Sequence, residues 1–239
     1  MALKQLTAGL LAFGIAGTAV AAPSLGGLQT VFDNITQGGP SSVDVTTDML
    51  NDNVDTTWAI GGTGGAVSTL IIELAGFKDN TSFGIYSGTE TVELFGGPDG
   101  AGAQVLMSIL GDGSVIVNFT DTLVDFAGNS FGFYLDSSAS NGGGMFYSDT
   151  AKNADGVDHM FAYQGVGDTV EIPPYAAGVW GPSEYILAWE DLNGGGDEDY
   201  ADFVVMVESV NPIPEPGLAA LLGAGLVGVG LSRRKNRAA

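Results

Sequence analysis

The chain has 239 residues, 45% of them hydrophobic, with 28 acidic residues against seven basic ones and a formal charge of −21. It contains no cysteine, which excludes disulfides, thiolate metal sites and cysteine nucleophiles. So acidic a body repels nucleic acid and anionic membranes, and its natural counterions are hard divalent cations that prefer oxygen ligands.

In chain order, the first element is MALKQLTAGLLAFGIAGTAVAAPS. Lys4 supplies a short positive region, Leu6 to Val20 an apolar run, and Ala19-Val20-Ala21 the small residues that signal peptidase requires. Residues 1–21 therefore read as a secretory signal helix, removed in the mature protein.

The body, residues 22–210, reads as all-β, an antiparallel β-sandwich of jelly-roll-like character. Predicted strands are Leu28–Ile35, Val67–Leu74, Ser82–Tyr86, Thr91–Phe95, Gln104–Leu110, Ser114–Phe119, Ser130–Leu135, Gly144–Tyr147, His159–Tyr163, Glu184–Trp189 and Asp202–Val207. Alternation places Phe131, Phe133 and Leu135 on one face of their strand. It does the same for Val115, Val117 and Phe119, for Tyr185, Leu187 and Trp189, and for Phe203, Val205 and Val207. Asp112-Gly113 and Asn141-Gly142 read as hairpin turns, because these residues tolerate positive φ. No segment of the body shows a helical stripe, and Gly38–Gly65, polar and weakly patterned, reads as a loop or excursion. No repeat or linker divides the body.

Between the last two strands lies WEDLNGGGDEDYADF, with Glu190, Asp191, Asp197, Glu198, Asp199 and Asp202 crowded around three glycines. Carboxylates this close raise one another's pKa values and destabilise the loop, and a dication reverses that penalty. Calcium accepts six to eight oxygens in flexible geometry, and glycines let the backbone turn its carbonyls toward an ion. The expected metal ligands are Asp197, Asp199 and Asp202, closed by Glu190 or Asp191 from the preceding strand end. Alternation sends Glu198 and Tyr200 to the other side. The spacing of Asp191, Asn193, Asp197, Asp199 and Asp202 echoes positions 1, 3, 7, 9 and 12 of an EF-hand loop, without its helices. In a second polar group, Asp149, Asp155, Asp158 and His159, either Asp155 or Asp158 completes this ion site or makes another, with His159 orienting a carboxylate, or the group is a turn before a strand with a half-buried histidine.

Catalytic alternatives are poorly supplied. His159 is the sole histidine, which excludes zinc motifs that need two or three. Nothing around Ser148 resembles a nucleophile elbow, and a pair such as Glu190 with Asp197 suits ion coordination better than glycoside hydrolysis. No catalytic residue and no enzyme activity is therefore expected. The rival reading is a calcium-dependent, lectin-like carbohydrate-binding module, with Trp58, Tyr147, Tyr175 and Trp180 as stacking candidates for an extracellular polysaccharide.

Residues 211–239 form the last segment. Pro212, Pro214 and Pro216 are read as a stiff spacer that cannot lie inside a regular strand or helix, followed by an apolar helix at 217–231 and an Arg-Arg-Lys cluster. At ~1.5 Å per residue that helix spans a ~30 Å hydrocarbon core only marginally, with its arginines cytoplasmic.

Pro214-Glu215-Pro216, the glycine-rich apolar run and the basic tail resemble the PEP-CTERM sorting signal. That resemblance implies a Gram-negative bacterium that makes exopolysaccharide. It also implies transient inner-membrane anchoring through the C-terminal transmembrane sorting helix, and an exosortase-type transpeptidase recognising Glu215 and its prolines and passing the protein to the cell surface or medium. The pattern Trp189-Glu190-Asp191-Leu192, Gly-Gly-Asp, Asp-Tyr-x-Asp-Phe, with Asn153 to His159 upstream, resembles a DUF4114 C-terminal domain over about residues 131–210. This implies an extracellular β module with an acidic, calcium-binding loop and no catalytic role. Ala201 stands where that family's pattern has Asn.

Overall fold

Alternating burial along the strands organises the chain into antiparallel sheets with few helices. The structure, a computed structural model, describes residues 24–61, 64–73 and 80–214. The signal segment 1–21, Glu215, Pro216 and the apolar run 217–231 lie outside the described residues. Among the described residues no helix is long and apolar enough to cross a membrane.

One sheet of the described residues contains β1 (Trp58–Ile60), β3 (Ser82–Ser87), β4 (Glu90–Phe95), β8 (Ser130–Asp136), β9 (Met145–Tyr147) and β15 (Val210–Pro212), in the order β15-β1-β8-β3-β4, with β9 also on β8. The other contains β2 (Ala66–Glu73), β5 (Gln104–Ile109), β6 (Ser114–Val117), β7 (Thr120–Asp125), β10 (Met160–Gln164), β13 (Glu184–Trp189) and β14 (Phe203–Glu208), in the order β10-β13-β14-β2-β5-β6-β7. A small hairpin joins β11 (Thr169–Val170) and β12 (Gly178–Val179).

The two large sheets share one core, as the sheets of a sandwich do. Phe83, Phe131, Phe133 and Trp58 from the first sheet meet Tyr185, Leu187, Trp189, Phe203, Val205 and Val207 from the second. Phe83 stacks on Phe133 and Phe203 and meets Trp189 edge-on, with centroids 5.2–6.0 Å apart. The intervening residues of β13 and β14, Ile186, Ala188, Val204 and Met206, face a second core. These two strands are therefore buried on both sides, and the acidic loop that joins them grows from between the two cores.

A helix covers the second core. Leu28, Val31, Phe32 and Ile35, read above as strand, are the buried face of α1 (Gly26–Ile35). Their i, i+3, i+4, i+7 spacing is a helical stripe. Val31, Thr30 and Ile35 are β-branched and no side chain caps the helix, so local preference pointed the other way. Packing decides: Phe32 meets Tyr163 and Trp180 edge-on at 5.0 and 5.7 Å.

Three further expectations change. The segment 38–65 carries structure: Val43 and Val45 are buried, α2 (Asp52–Asp55) and β1 lie within it, and Trp58 is completely buried with its indole donating to the Asp55 carbonyl at 2.6 Å. Phe119 does not share the face of Val115. Asn118 and Phe119 form the β6–β7 turn with φ of 48° and 65°, and the ring is 87% exposed. Pro212 is not confined to a spacer, for it ends β15 opposite Trp58 at the sheet edge, where a missing N–H is tolerated.

Gly84 sits beside an irregularity in the β3–β4 register, where a Cβ would lie 2.2 Å from the Val92 carbonyl oxygen and 2.7 Å from the Tyr134 ring. Gly84→Ala is expected to cost about 1–3 kcal/mol of stability, measured by urea unfolding.

Candidate metal centre

Trp189 of β13 lies opposite Phe203 of β14, and the connection between them carries the acidic run. Gly194, Gly195 and Gly196 all have positive φ, at 77°, 86° and 51°, which an L side chain rarely adopts. Gly196 has a second reason to be glycine: a Cβ there would lie 2.1 Å from Glu190 Oε1. The loop thus closes directly over the Glu190 carboxylate. Glu198 and Tyr200 also take positive φ, 57° and 53°, so the surroundings hold a backbone that these residues would not choose alone.

Glu190, Asp197, Asp199 and Asp202 each present a carboxylate oxygen within 4.8 Å of the others. Glu190 is completely buried; Asp199 and Asp202 are half-buried, and Asp197 is exposed at the rim. Glu190 Oε1 accepts from Leu192 N–H at 3.2 Å, whereas Oε2 is buried with no hydrogen-bond partner. A buried oxygen in that condition is costly unless a cation faces it or it shares a proton with a neighbouring carboxylate such as Asp202. Burial and the adjacent Asp202 carboxylate push Glu190 up to about 8, and burial likewise raises Asp202. Asp191, expected among the ligands, is not one of the four convergent groups. It is buried against Asp202, its Oδ2 is also unpartnered, and burial followed by Asp202 raises it to about 7.

Long-range hydrogen bonds hold the loop. Ser137 Oγ donates to the Asp191 carbonyl at 2.6 Å. Asn193 donates through Nδ2 to the carbonyls of Gly142 and Gly143 at 3.0 and 2.6 Å, and through its backbone to Gly142 at 2.9 Å. The Asn141-Gly142 turn, legible in the sequence as a hairpin, is therefore also the loop's support. From the other side His159, completely buried rather than half-buried, points Nδ1 at the Glu190 carbonyl and Nε2 at Asp155 Oδ2, both at 2.9 Å. Asp155 Oδ2 also accepts from Gly194 N–H at 2.7 Å. Burial pushes Asp155 up, but the Gly194 amide and the histidine outweigh it and hold it at about 2.

The second polar group thus divides. Asp155 and His159 brace the loop without joining the four oxygens. Asp158 lies by Asp52 and Asp55, and Asp149 accepts from Ala151 N–H at the start of a short 3-10 turn. His159 and Ser148 do not pair, since Ser148 Oγ donates to the Thr56 carbonyl and accepts from Phe133 N–H. The EF-hand echo does not extend to side-chain roles: Asn193 binds carbonyls, and Glu190, outside that register, takes the place given to Asp191. Ser137 and Asn193 were missed as supports because their partners lie fifty or more residues away in the chain.

A family model describing a domain of unknown function, DUF4114, matches residues 126–210. Residues 126–210 are a DUF4114 domain. The match begins slightly ahead of the expected 131 and ends before the last segment of the chain, so the domain is internal rather than C-terminal. Every loop residue and every brace named above falls within it. Its strands are nevertheless not a separate layer, because β14 pairs with β2 and β8 pairs with β3. No curated protein and no solved structure matches the chain at a significant level.

Proposed function

We propose that the protein is an exported, non-enzymatic β-sandwich module of a bacterial cell surface or exopolysaccharide matrix, stabilised by a calcium ion at Glu190, Asp197, Asp199 and Asp202. The observation that carries this reading is Glu190, a fully buried carboxylate whose second oxygen has no partner, converging with three further carboxylates. An all-oxygen donor set without nitrogen or sulfur suits a hard cation, and an irregular glycine-rich loop suits calcium better than the strict octahedron of magnesium. Bound there, the ion would neutralise the mutual repulsion and leave the loop a fixed corner of the β13–β14 ladder.

Export and sorting rest on the sequence pattern. Signal peptidase would remove residues 1–21, and an exosortase-type transpeptidase would act near Pro214, Glu215 and Pro216, with the apolar run at 217–231 as a transient inner-membrane anchor. The calcium-dependent lectin reading loses two of its four aromatics, because Trp58 and Trp180 are buried in the two cores.

Calorimetric titration of the purified protein with calcium tests the centre. One saturable site is expected, with magnesium binding at least tenfold more weakly. Absence of binding at millimolar calcium, together with a melting temperature indifferent to chelator, would sink the reading.

A further inference from the structure

A recess of about 180 Å³ opens away from the acidic loop, where the second core emerges from under α1. Its walls include Val170, Ile172, Tyr175 and Met206, and two carboxylates, Glu184 and Glu208, line it as well. The two glutamates are directly opposite in the β13–β14 register and on the same face as Ile186 and Met206. Like charges in that position repel. Burial, followed by Glu184, raises the Glu208 carboxyl. Glu184 is fixed, accepting from Gly181 N–H at 2.6 Å. Among the described residues no basic side chain lines the recess. The sole described lysine, Lys152, sits over Tyr86 and Tyr147 instead.

The opposing wall is apolar and open. Tyr175 is 39% exposed and Val179 65%. This wall is also preformed. Tyr175 N–H donates to the Ile172 carbonyl at 3.0 Å, and the preceding Pro173 carbonyl packs so closely on Gly102 that a Cβ there would lie 2.2 Å away. A preformed site loses less entropy on binding. Two carboxylates beside an aliphatic and aromatic wall do not suit a hard metal ion, which needs oxygens on all sides. They suit an ammonium on an apolar stem, the charge meeting the glutamates and the stem packing on the tyrosine ring.

We propose that this recess binds an organic ammonium group on a short aliphatic or ring stem, with Glu184 and Glu208 as its charge partners and Tyr175 as its packing surface. The amine of a polyamine, of a lysine side chain or of an amino sugar has this chemistry. The site is independent of the calcium centre.

Titration of the calcium-saturated full-length protein, followed by calorimetry, tests it with cadaverine, Nα-acetyl-lysine methylamide and glucosamine, each beside its N-acetylated counterpart. At least one amine is expected to bind, its neutral counterpart at least tenfold more weakly, and the preferred arm identifies the source. Glu208→Gln is expected to weaken binding about tenfold and to leave calcium affinity unchanged. Tyr175→Ala is expected to weaken the same amine. Because Glu208→Gln removes a repulsion, its melting temperature should not fall, so a loss of binding cannot be ascribed to unfolding. The proposal is overturned if no amine binds at millimolar concentration, if neutral counterparts bind as well, or if Glu208→Gln changes nothing.

Discussion

Replacing both Asp197 and Asp199 by asparagine is expected to lower the melting temperature by roughly 5–10 °C in calcium at a hundredfold excess over its Kd, and to change it little in chelator. The size follows from linkage. An ion at that excess stabilises the folded state by ~2.7 kcal/mol, and each kcal/mol moves the midpoint of a domain this large by about 2–4 °C. These two positions isolate ligation from folding. Asp197 is exposed, and the bond that Asp199 Oδ1 accepts from Ala201 N–H at 2.8 Å can be kept by an asparagine oxygen. Glu190→Gln would be a poorer test, because Glu190 also binds Leu192 N–H and fills the space beneath Gly196. In chelator the double variant loses two repelling charges and should melt at or slightly above the parent. Equal melting of the two proteins in calcium would show that these carboxylates hold no ion.

The second large effect lies at Asp55, remote from the acidic loop in sequence. Asp55 is 1% exposed and its Oδ2 has no partner. Burial, then the Asp158 and Asp52 carboxylates, push it up to about 9, while burial and Asp52 push Asp158 up to about 7. A carboxyl whose folded pKa lies above its unfolded value of ~3.9 binds its proton more tightly when folded. The stabilising contribution of Asp55 is therefore complete below about pH 4, falls from there as the unfolded chain ionises and is fully lost once pH passes about 9, and that of Asp158 is fully lost by about 7. At ~1.4 kcal/mol per pKa unit the loss at Asp55 is several kcal/mol by pH 9. Asp55→Asn mimics the protonated acid at every pH, so it is expected to match the parent near pH 4 and exceed it increasingly from there toward pH 9. Urea unfolding of both proteins across this range, in constant calcium, gives the difference directly. A difference that stays flat with pH would mean that Asp55 is ionised inside the fold or more hydrated than its burial indicates.

Much of the architecture was legible because β-structure leaves a short period. Alternation in residues 131–135, 185–189 and 203–207 named the inward faces of β8, β13 and β14, and all nine of those side chains line the first core. Alternation alone did not reveal that Ile186, Ala188, Val204 and Met206 are buried too. A residue on the outer face of a strand is buried only if another element covers it, and that element, α1, was itself read as a strand. The same gap explains the tryptophans. Trp58 and Trp180, in weakly patterned segments, gave no local sign of burial, yet both are core.

The carboxylate run between β13 and β14 is a property of the sequence itself, as are the three glycines that permit its backbone, the strong acidity, the lack of thiols and the apolar and proline-rich ends. These depend on composition and on neighbours a few residues apart. Only the tertiary structure decided which carboxylates converge, that Glu190 rather than Asp191 closes the group, and that Ser137, Asn193, Asp155 and His159 hold the loop in place. The recess at Glu184 and Glu208 is decided at the same level, by the pairing of two strands and the loop folded against them. The reason is one of range: side-chain type is written residue by residue, but the direction and burial of a charge depend on what packs over it from distant parts of the chain.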